Sequence, residues 1–200
     1  MPLLAVLLLA GCPSKSILLQ GHFPTPLIDK FRVPIGVYYS PNFSTFKHEE
    51  DIPQAGKVSV QAGGINTALF DKLLPGLFAN VQRLSSPVAT AQVRGVLIPE
   101  IAEMQFSLPQ QTHNGLYEVW LRYDIKLQDS TGKVVAQWPL TGYGKSPDGW
   151  FVQRTGGLND AADVALRDIA ASFTLSLRDV VEVQRWLEAE TAALNKSPAQ

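Results

Sequence analysis

One stretch of thirteen residues, LYEVWLRYDIKLQ at positions 116–128, constrains the fold of this chain more than any other. Its odd-numbered positions, from Tyr117 to Leu127, are all apolar. Its even-numbered positions after Leu116 are polar or charged, except for Trp120. Because successive side chains of a strand point to opposite faces, this alternation predicts a strand with one dry face and one wet face.

Two neighbouring stretches predict the partners of this strand. DSTG at 129–132 has the residue types of a tight turn, and KVVAQWPLTGY at 133–143 resumes the alternation, which is typical of an antiparallel hairpin. Upstream, 94–108 alternates Met104 and Phe106 with polar residues. We therefore expect a sheet of at least three antiparallel strands, joined in sequence order.

A long amphipathic helix is predicted to cover the dry face of this sheet. Asn159 or Asp160 can cap its start. Its apolar residues recur at spacings of three and four: Ala162, Leu166, Ile169, Phe173, Leu177 and Val181. The pattern continues as far as Trp186 and Leu187, and we expect Tyr123 and Ile125 of the strand to be buried near Ile169 and Phe173.

The first half of the chain predicts a strand, a loop, a second strand and a helix. Residues 32–39 favour a strand that Pro34 confines to an edge or to its first residues. Residues 40–54, which contain HEED, suggest an exposed loop, and 57–61 alternate like a short strand. A helical stripe then follows: Ile65, Leu69, Leu73, Leu77, Val81 and Leu84. Pro75 should end or kink this helix near Leu74.

Together these elements predict an α+β fold with an antiparallel sheet. The element order is strand, helix, three-stranded meander, helix, and both helices pack on one face of the sheet. We expect one domain over residues 32–187 and a polar tail over 188–200.

The N-terminus carries a different signal. Residues 3–9 are an unbroken apolar run, and Ala10 and Gly11 precede Cys12, which is the only cysteine in the chain. Such a run could be a buried strand or helix, with Cys12 as a buried thiol. The alternative that we favour is an export signal over residues 1–11, cleaved between Gly11 and Cys12.

Leu9, Ala10, Gly11 and Cys12 resemble the bacterial lipobox at all four positions. This resemblance implies that the Cys12 thiolate receives a diacylglyceryl group and that the new α-amine is acylated as well, which anchors the protein to a membrane. Residues 13–31 contain three prolines and no periodicity, so we expect residues 12–31 to be a lipidated tether. Pro13 is not the aspartate that retains lipoproteins in the inner membrane of enteric bacteria, and sorting rules differ between organisms, so this residue leaves the sorting open. We expect the outer membrane, facing the periplasm. The inner membrane stays as the alternative.

Composition and motifs argue against several functions. The formal net charge of −1 does not favour nucleic-acid binding. His22, His48 and His113 lie in separate predicted loops, which predicts no metal site. The GKSPDG stretch at 144–149 lacks the pattern of a serine-hydrolase or dinucleotide motif. We therefore expect a protein that is not an enzyme and that needs no cofactor.

A binding surface is the remaining possibility, and two candidates stand out. Residues 143–157 form a glycine-rich loop with Trp150 and Phe151, flanked by Lys145 and Arg154. These aromatic residues could instead fold back into the core. The second candidate is Trp120, the one aromatic residue on the wet face of the hairpin.

The lipobox and the order of elements are similar to those of small envelope lipoproteins: the YajG type, the lipopolysaccharide-assembly lipoprotein and the auxiliary lipoproteins of ABC-type transporters. This resemblance implies a binding or assembly role with an envelope protein as partner. The alternative is a carrier that encloses a small lipid or another apolar ligand. An exposed apolar patch favours the first function, and an internal cavity of a few hundred Å³ favours the second.

Overall fold

The computed structural model of the chain describes residues 15–53, 55–112, 114–147 and 156–196. These residues form eight strands and four helices. In chain order the elements are β1 (Lys15–Leu18), β2 (Ile35–Tyr38), α1 (Pro41–Ser44), β3 (Lys47–Ile52), β4 (Gly56–Gln61), α2 (Gly63–Leu77), β5 (Val81–Leu84), β6 (Gly95–Ser107), β7 (Leu116–Asp129), β8 (Val134–Pro147), α3 (Gly156–Asp179) and α4 (Val181–Lys196).

The main sheet has five strands in the order β5-β2-β6-β7-β8. The predicted antiparallel meander is confirmed, because β6, β7 and β8 pair antiparallel in sequence order. The whole sheet is mixed, however, since β2 pairs in parallel with both β5 and β6. Parallel strands need a long crossover, and here the chain passes through α1, β3, β4 and α2 before it returns as β5.

The core lies on one face of this sheet, as the alternation in β7 predicts. All six odd-numbered side chains from Tyr117 to Leu127 are buried. The phenol of Tyr123 and the ring of Phe173 both pack against Phe70 of α2, with centroid distances of 6.1 and 5.4 Å. Tyr123, Ile125, Ile169 and Phe173 are all fully buried, so the predicted core between β7 and the last long helix is confirmed.

A second sheet has three strands in the order β1-β4-β3. It corrects the predicted tether, because residues 15–31 belong to the folded body. Ile17, Leu19 and Phe23 are buried, and the Gln20 and His22 amides donate to side-chain oxygens of α3 at 3.1 Å. This segment contains prolines, and its apolar residues have neither the spacing of a strand nor that of a helix. The sequence therefore did not predict that it packs on the body.

Three other predictions in the first half of the chain need correction. The expected loop over 40–54 contains α1 and β3. The Ser40 hydroxyl caps α1 by accepting from the Phe43 amide, and the buried Phe43 ring ties this helix to the core. Helix α2 ends at Leu77, two residues after Pro75, so the last two members of the predicted stripe, Val81 and Leu84, lie in β5.

The predicted C-terminal helix is two helices, and its start is not at a cap residue. Helix α3 already includes Gly156, so Asn159 lies inside its first turn and accepts from the Gln20 amide instead. The chain bends at Val180, and this bend places the Trp186 ring of α4 beside Gly95 at the start of β6. Helix α4 continues to Lys196, so residues 188–196 of the predicted polar tail are helical.

Candidate functional site

The candidate site lies on the outer face of the main sheet, opposite the core. Trp120 of β7 stands directly between two neighbours on this face: Gln105 of β6 and Tyr143 of β8. The Trp120 side chain is half-buried, whereas Tyr143 is 47% exposed and counts among the large apolar side chains that face solvent. A rigid strand therefore presents each of these two aromatic rings to the surface.

Charged groups flank the aromatic pair. Glu118 of β7 and Lys145 of β8 are directly opposite each other and form the next cross-strand pair on this face after Trp120 and Tyr143. The Tyr143 hydroxyl donates to Glu118 Oε1 at 3.0 Å. Desolvation raises the pKa of Tyr143, and the Glu118 carboxylate adds to this effect, so the phenol stays protonated and keeps its hydrogen bond. We call Gln105, Glu118, Trp120, Tyr143 and Lys145 together the Trp120 face.

A shallow groove of about 200 Å³ runs across the Trp120 face. It is lined by Gln105, Phe106, Ser107, Glu118, Trp120 and Tyr143. The groove combines three aromatic residues with polar and acidic groups. The groove is open to solvent on the surface of the sheet.

Trp120 and Lys145, which belonged to two separate candidate surfaces in the sequence, lie on the same face of the sheet. Lys145 was predicted to lie in a loop over residues 143–157, but it lies in β8 on the same side of the sheet as Trp120. The other predicted binding residues, Trp150, Phe151 and Arg154, lie outside the described residues, as do Gly11 and Cys12 of the lipobox. The Trp120 face is thus the part of the predicted binding surface that the structure describes.

Tyr143 was not predicted as a binding residue, although the sequence contains a signal for it. In the alternating segment that became β8, the buried residues are even-numbered, from Ala136 to Ser146. An odd-numbered residue such as Tyr143 must therefore point to the wet face. Because Ala136, Trp138 and Leu140 mark the dry side of this segment, the same alternation assigns Tyr143 to the wet face, as it does Trp120 in β7.

The free edge of β8 is protected against pairing with another strand. The Tyr143 amide donates to Asp168 Oδ2 of α3 at 3.4 Å, so it points away from β7. Amide groups alternate in direction along an antiparallel strand, and Pro139 and Pro147 occupy positions equivalent to Tyr143. Proline has no amide hydrogen to offer at such an edge. A partner is therefore expected to meet the face of this sheet and not its edge.

A second apolar surface lies beside α3, in a groove of about 380 Å³. The groove is formed by the segment from Pro24 to Ile28 and one side of α3. Leu27 is 98% exposed and Leu175 is 62% exposed, and both line this groove. It is open to solvent along its length, so it is a surface groove and not an internal cavity.

Within the described ranges, no group of three His, Cys, Asp or Glu side chains could hold a metal ion. His22 is exposed, and the His48 ring packs edge-on against Phe106 at 5.7 Å. His113 lies outside the described residues. Among the helices that the structure describes, none has the length and apolar character needed to cross a membrane.

Comparison with known proteins identifies the fold. No protein-family model and no curated protein matches the sequence. A Xanthomonas campestris protein of the DUF330 family has the same fold with a TM-score of 0.51; it is 13% identical, and the match covers 86% of this chain and 96% of that one. A homologue of the neuraminyllactose-binding hemagglutinin from Helicobacter pylori also has a TM-score of 0.51. It is 9% identical, and the match covers 87% of this chain and 100% of that one. A minor lipoprotein from Acinetobacter baumannii has a TM-score of 0.39, with 15% identity over 74% of this chain and 93% of that one.

Proposed function

We propose that this protein is a lipid-anchored accessory of the bacterial cell envelope, and that its body binds another envelope protein through the Trp120 face. The anchor is Cys12, and the body faces the periplasm from the outer membrane. The protein acts by binding or assembly and catalyses no reaction. The observation that carries the binding function is the pairing of Trp120 and Tyr143 on the outer face of a rigid sheet.

The chemistry of this face suits a protein partner. Tryptophan and tyrosine are among the residue types that most often dominate interface energetics, and truncating such a residue typically costs about 2 kcal/mol or more. Their positions are set by paired strands, so binding requires little ordering of the protein. Glu118 and Lys145 add one charge of each sign at the rim, which can select the orientation of the partner.

The test is capture of the partner from intact envelopes by chemical cross-linking of the full-length tagged protein. The test variant is Trp120→Ala with Tyr143→Ala. The matched control is Leu27→Ala with Leu175→Ala, which also removes two exposed apolar side chains but from the groove beside α3. We expect the test variant to lose the cross-linked partner while the control retains it.

The affinity of each variant for the purified partner then gives the size of the loss in binding free energy. Loss of about 2 kcal/mol at one aromatic residue corresponds to at least about 25-fold weaker binding. A folded test variant that binds as tightly as the parent protein would contradict the assignment of this face. Loss of binding in the control alone would move the interface to the groove beside α3.

One observation favours the carrier function as an alternative. The groove beside α3 is mostly apolar and could hold part of an acyl chain between Leu27 and Leu175. Binding of a fluorescent fatty acid, lost in Leu27→Ala with Leu175→Ala and kept in Trp120→Ala, would support a carrier. The open shape of this groove, however, leaves a bound chain in contact with water, which favours the partner-binding function.

A further inference from the structure

The distance between the proposed anchor and the folded body is very short. Strand β1 begins at Lys15, and Cys12 precedes Lys15 by three residues. Three residues can span at most about 11 Å, whatever their conformation. Had the chain folded only from residue 32 onward, the connection would have been about twenty residues long. The fold therefore begins almost at the lipid.

The position of Lys15 in the fold determines which part of the body is held there. Lys15 lies opposite Val58 of β4, close to the turn that joins β3 and β4. At the other end of this small sheet, the Leu19 amide donates to the Gln61 carbonyl, and the chain enters the body. Lys15 thus lies at the free end of the sheet. We call this end the hairpin tip: Lys15, Pro53, Ala55, Gly56 and Lys57.

We propose that the short connection seats the hairpin tip on the lipid headgroups, so that the body lies against the bilayer surface in a defined orientation. This proposal rests on the proposed function, since it requires the lipid at Cys12. The polar layer on each side of a bilayer is about 5–8 Å thick. A connection of at most about 11 Å therefore leaves Lys15 within or just above the headgroups.

The side chains of the hairpin tip suit contact with headgroups and not insertion among acyl chains. Lys15, Pro53 and Lys57 are exposed, and Ile52 at the base of the turn is 1% exposed. The exposed large apolar side chains of the described residues all lie elsewhere in the chain. Two ammonium groups at the tip can approach lipid phosphates, although Lys57 also pairs with Glu49 at 2.8 Å.

The turn after β7 provides a reference point. His48, at the end of β3 away from the hairpin tip, contacts Phe106, which pairs with Val119 of β7. From Val119 to the end of β7 at Asp129 is ten residues, or roughly 33 Å of strand. Ser130, in the turn after β7, is exposed at that far end.

The experiment compares fluorescent labels at these two positions of the full-length lipoprotein. The variants are Pro53→Cys at the hairpin tip and Ser130→Cys at the far turn, each labelled on its added thiol. Labelling is selective because the only native cysteine is consumed by the lipid. The purified proteins are reconstituted in phosphatidylethanolamine and phosphatidylglycerol vesicles that carry a nitroxide quencher on the headgroup.

We expect the label at position 53 to lose most of its emission and the label at position 130 to keep it. Equal emission from both labels, or quenching at position 130 alone, overturns the seating of the hairpin tip. Intact mass, measured on the same samples, separates this outcome from failure of the anchor. Full lipidation without quenching at position 53 leaves the proposed function standing, whereas absence of the lipid overturns both.

A spacer tests whether the short connection is the cause. Twenty glycine and serine residues inserted between Ser14 and Lys15 add a flexible chain with a mean span of about 25 Å. Quenching at position 53 should then fall sharply, because the tip is free to leave the surface. Unchanged quenching in the spacer variant overturns the claim that the connection holds the tip in place.

Discussion

Replacing Gly144 by alanine should weaken the packing of α3 on the sheet. A Cβ at this position would lie 2.6 Å from the backbone nitrogen of Ala165 and closer still to the carbonyl oxygen of Ala161. Ordinary contact begins near 3.4 Å, so α3 would have to move by roughly 1 Å. Both atoms belong to the backbone of a helix that packs along β7 and β8, so they cannot rotate away as the end of a side chain can.

The expected loss is at the upper end of the range for overpacked sites, about 3 kcal/mol, which lowers Tm by about 6–12 °C in a chain of this size. Thermal and urea unfolding, followed by circular dichroism in mild detergent, measure it. Gly64→Ala is the matched control, because nothing lies within 4 Å of its Cβ position and alanine favours a helix by up to about 1 kcal/mol. Equal stability of the two variants would refute the close approach of α3 to β8.

Three further predictions concern the core and the exposed ion pairs of Glu49. Phe173→Ala should lower the free energy of unfolding by about 3–5 kcal/mol in urea titrations, because the ring is fully buried. Tyr123→Phe should lower it by about 1–3 kcal/mol, since the lost hydroxyl donates at 2.5 Å to the buried amide oxygen of Asn66. Lys47 and then Lys57 lower the pKa of Glu49 to about 2, so these ion pairs stabilise the fold above pH 4.5 and are lost as the pH falls towards 2. Carboxyl NMR titration of Lys57→Gln should show the pKa of Glu49 raised towards 4.5.

The sequence predicted best where one pattern had one physical explanation. The alternation from Tyr117 to Leu127 admits only a strand buried on one side, and the structure buries all six side chains. The same alternation placed Trp120 on the wet face, where it forms half of the aromatic pair. These features depend only on the direction of side chains along a single strand, and that direction follows from the alternation of residue types in the sequence.

The sequence predicted least well where the structure depends on distant contacts. Val81 and Leu84 continue the helical spacing past Pro75, so their place in β5 follows only from pairing with β2. That pairing is parallel, and no local pattern distinguishes it from an antiparallel one. Ile17, Leu19 and Phe23 are buried, and the neighbouring amides of Gln20 and His22 donate to Asn159 and Asp163, which are 139 and 141 positions away. A tether and a packed segment look alike until those partners are known.

The lipid at Cys12 is the central claim of this account, and the intact mass of the membrane-extracted protein tests it most directly. We expect a chain that begins at Cys12 and carries a diacylglyceryl group and a further acyl chain, because the thiolate is the nucleophile that forms the thioether. Cys12→Ser should remove this mass and release the protein from the membrane or leave it uncleaved. An unmodified thiol at Cys12, in a chain that still carries residues 1–11, would contradict the account.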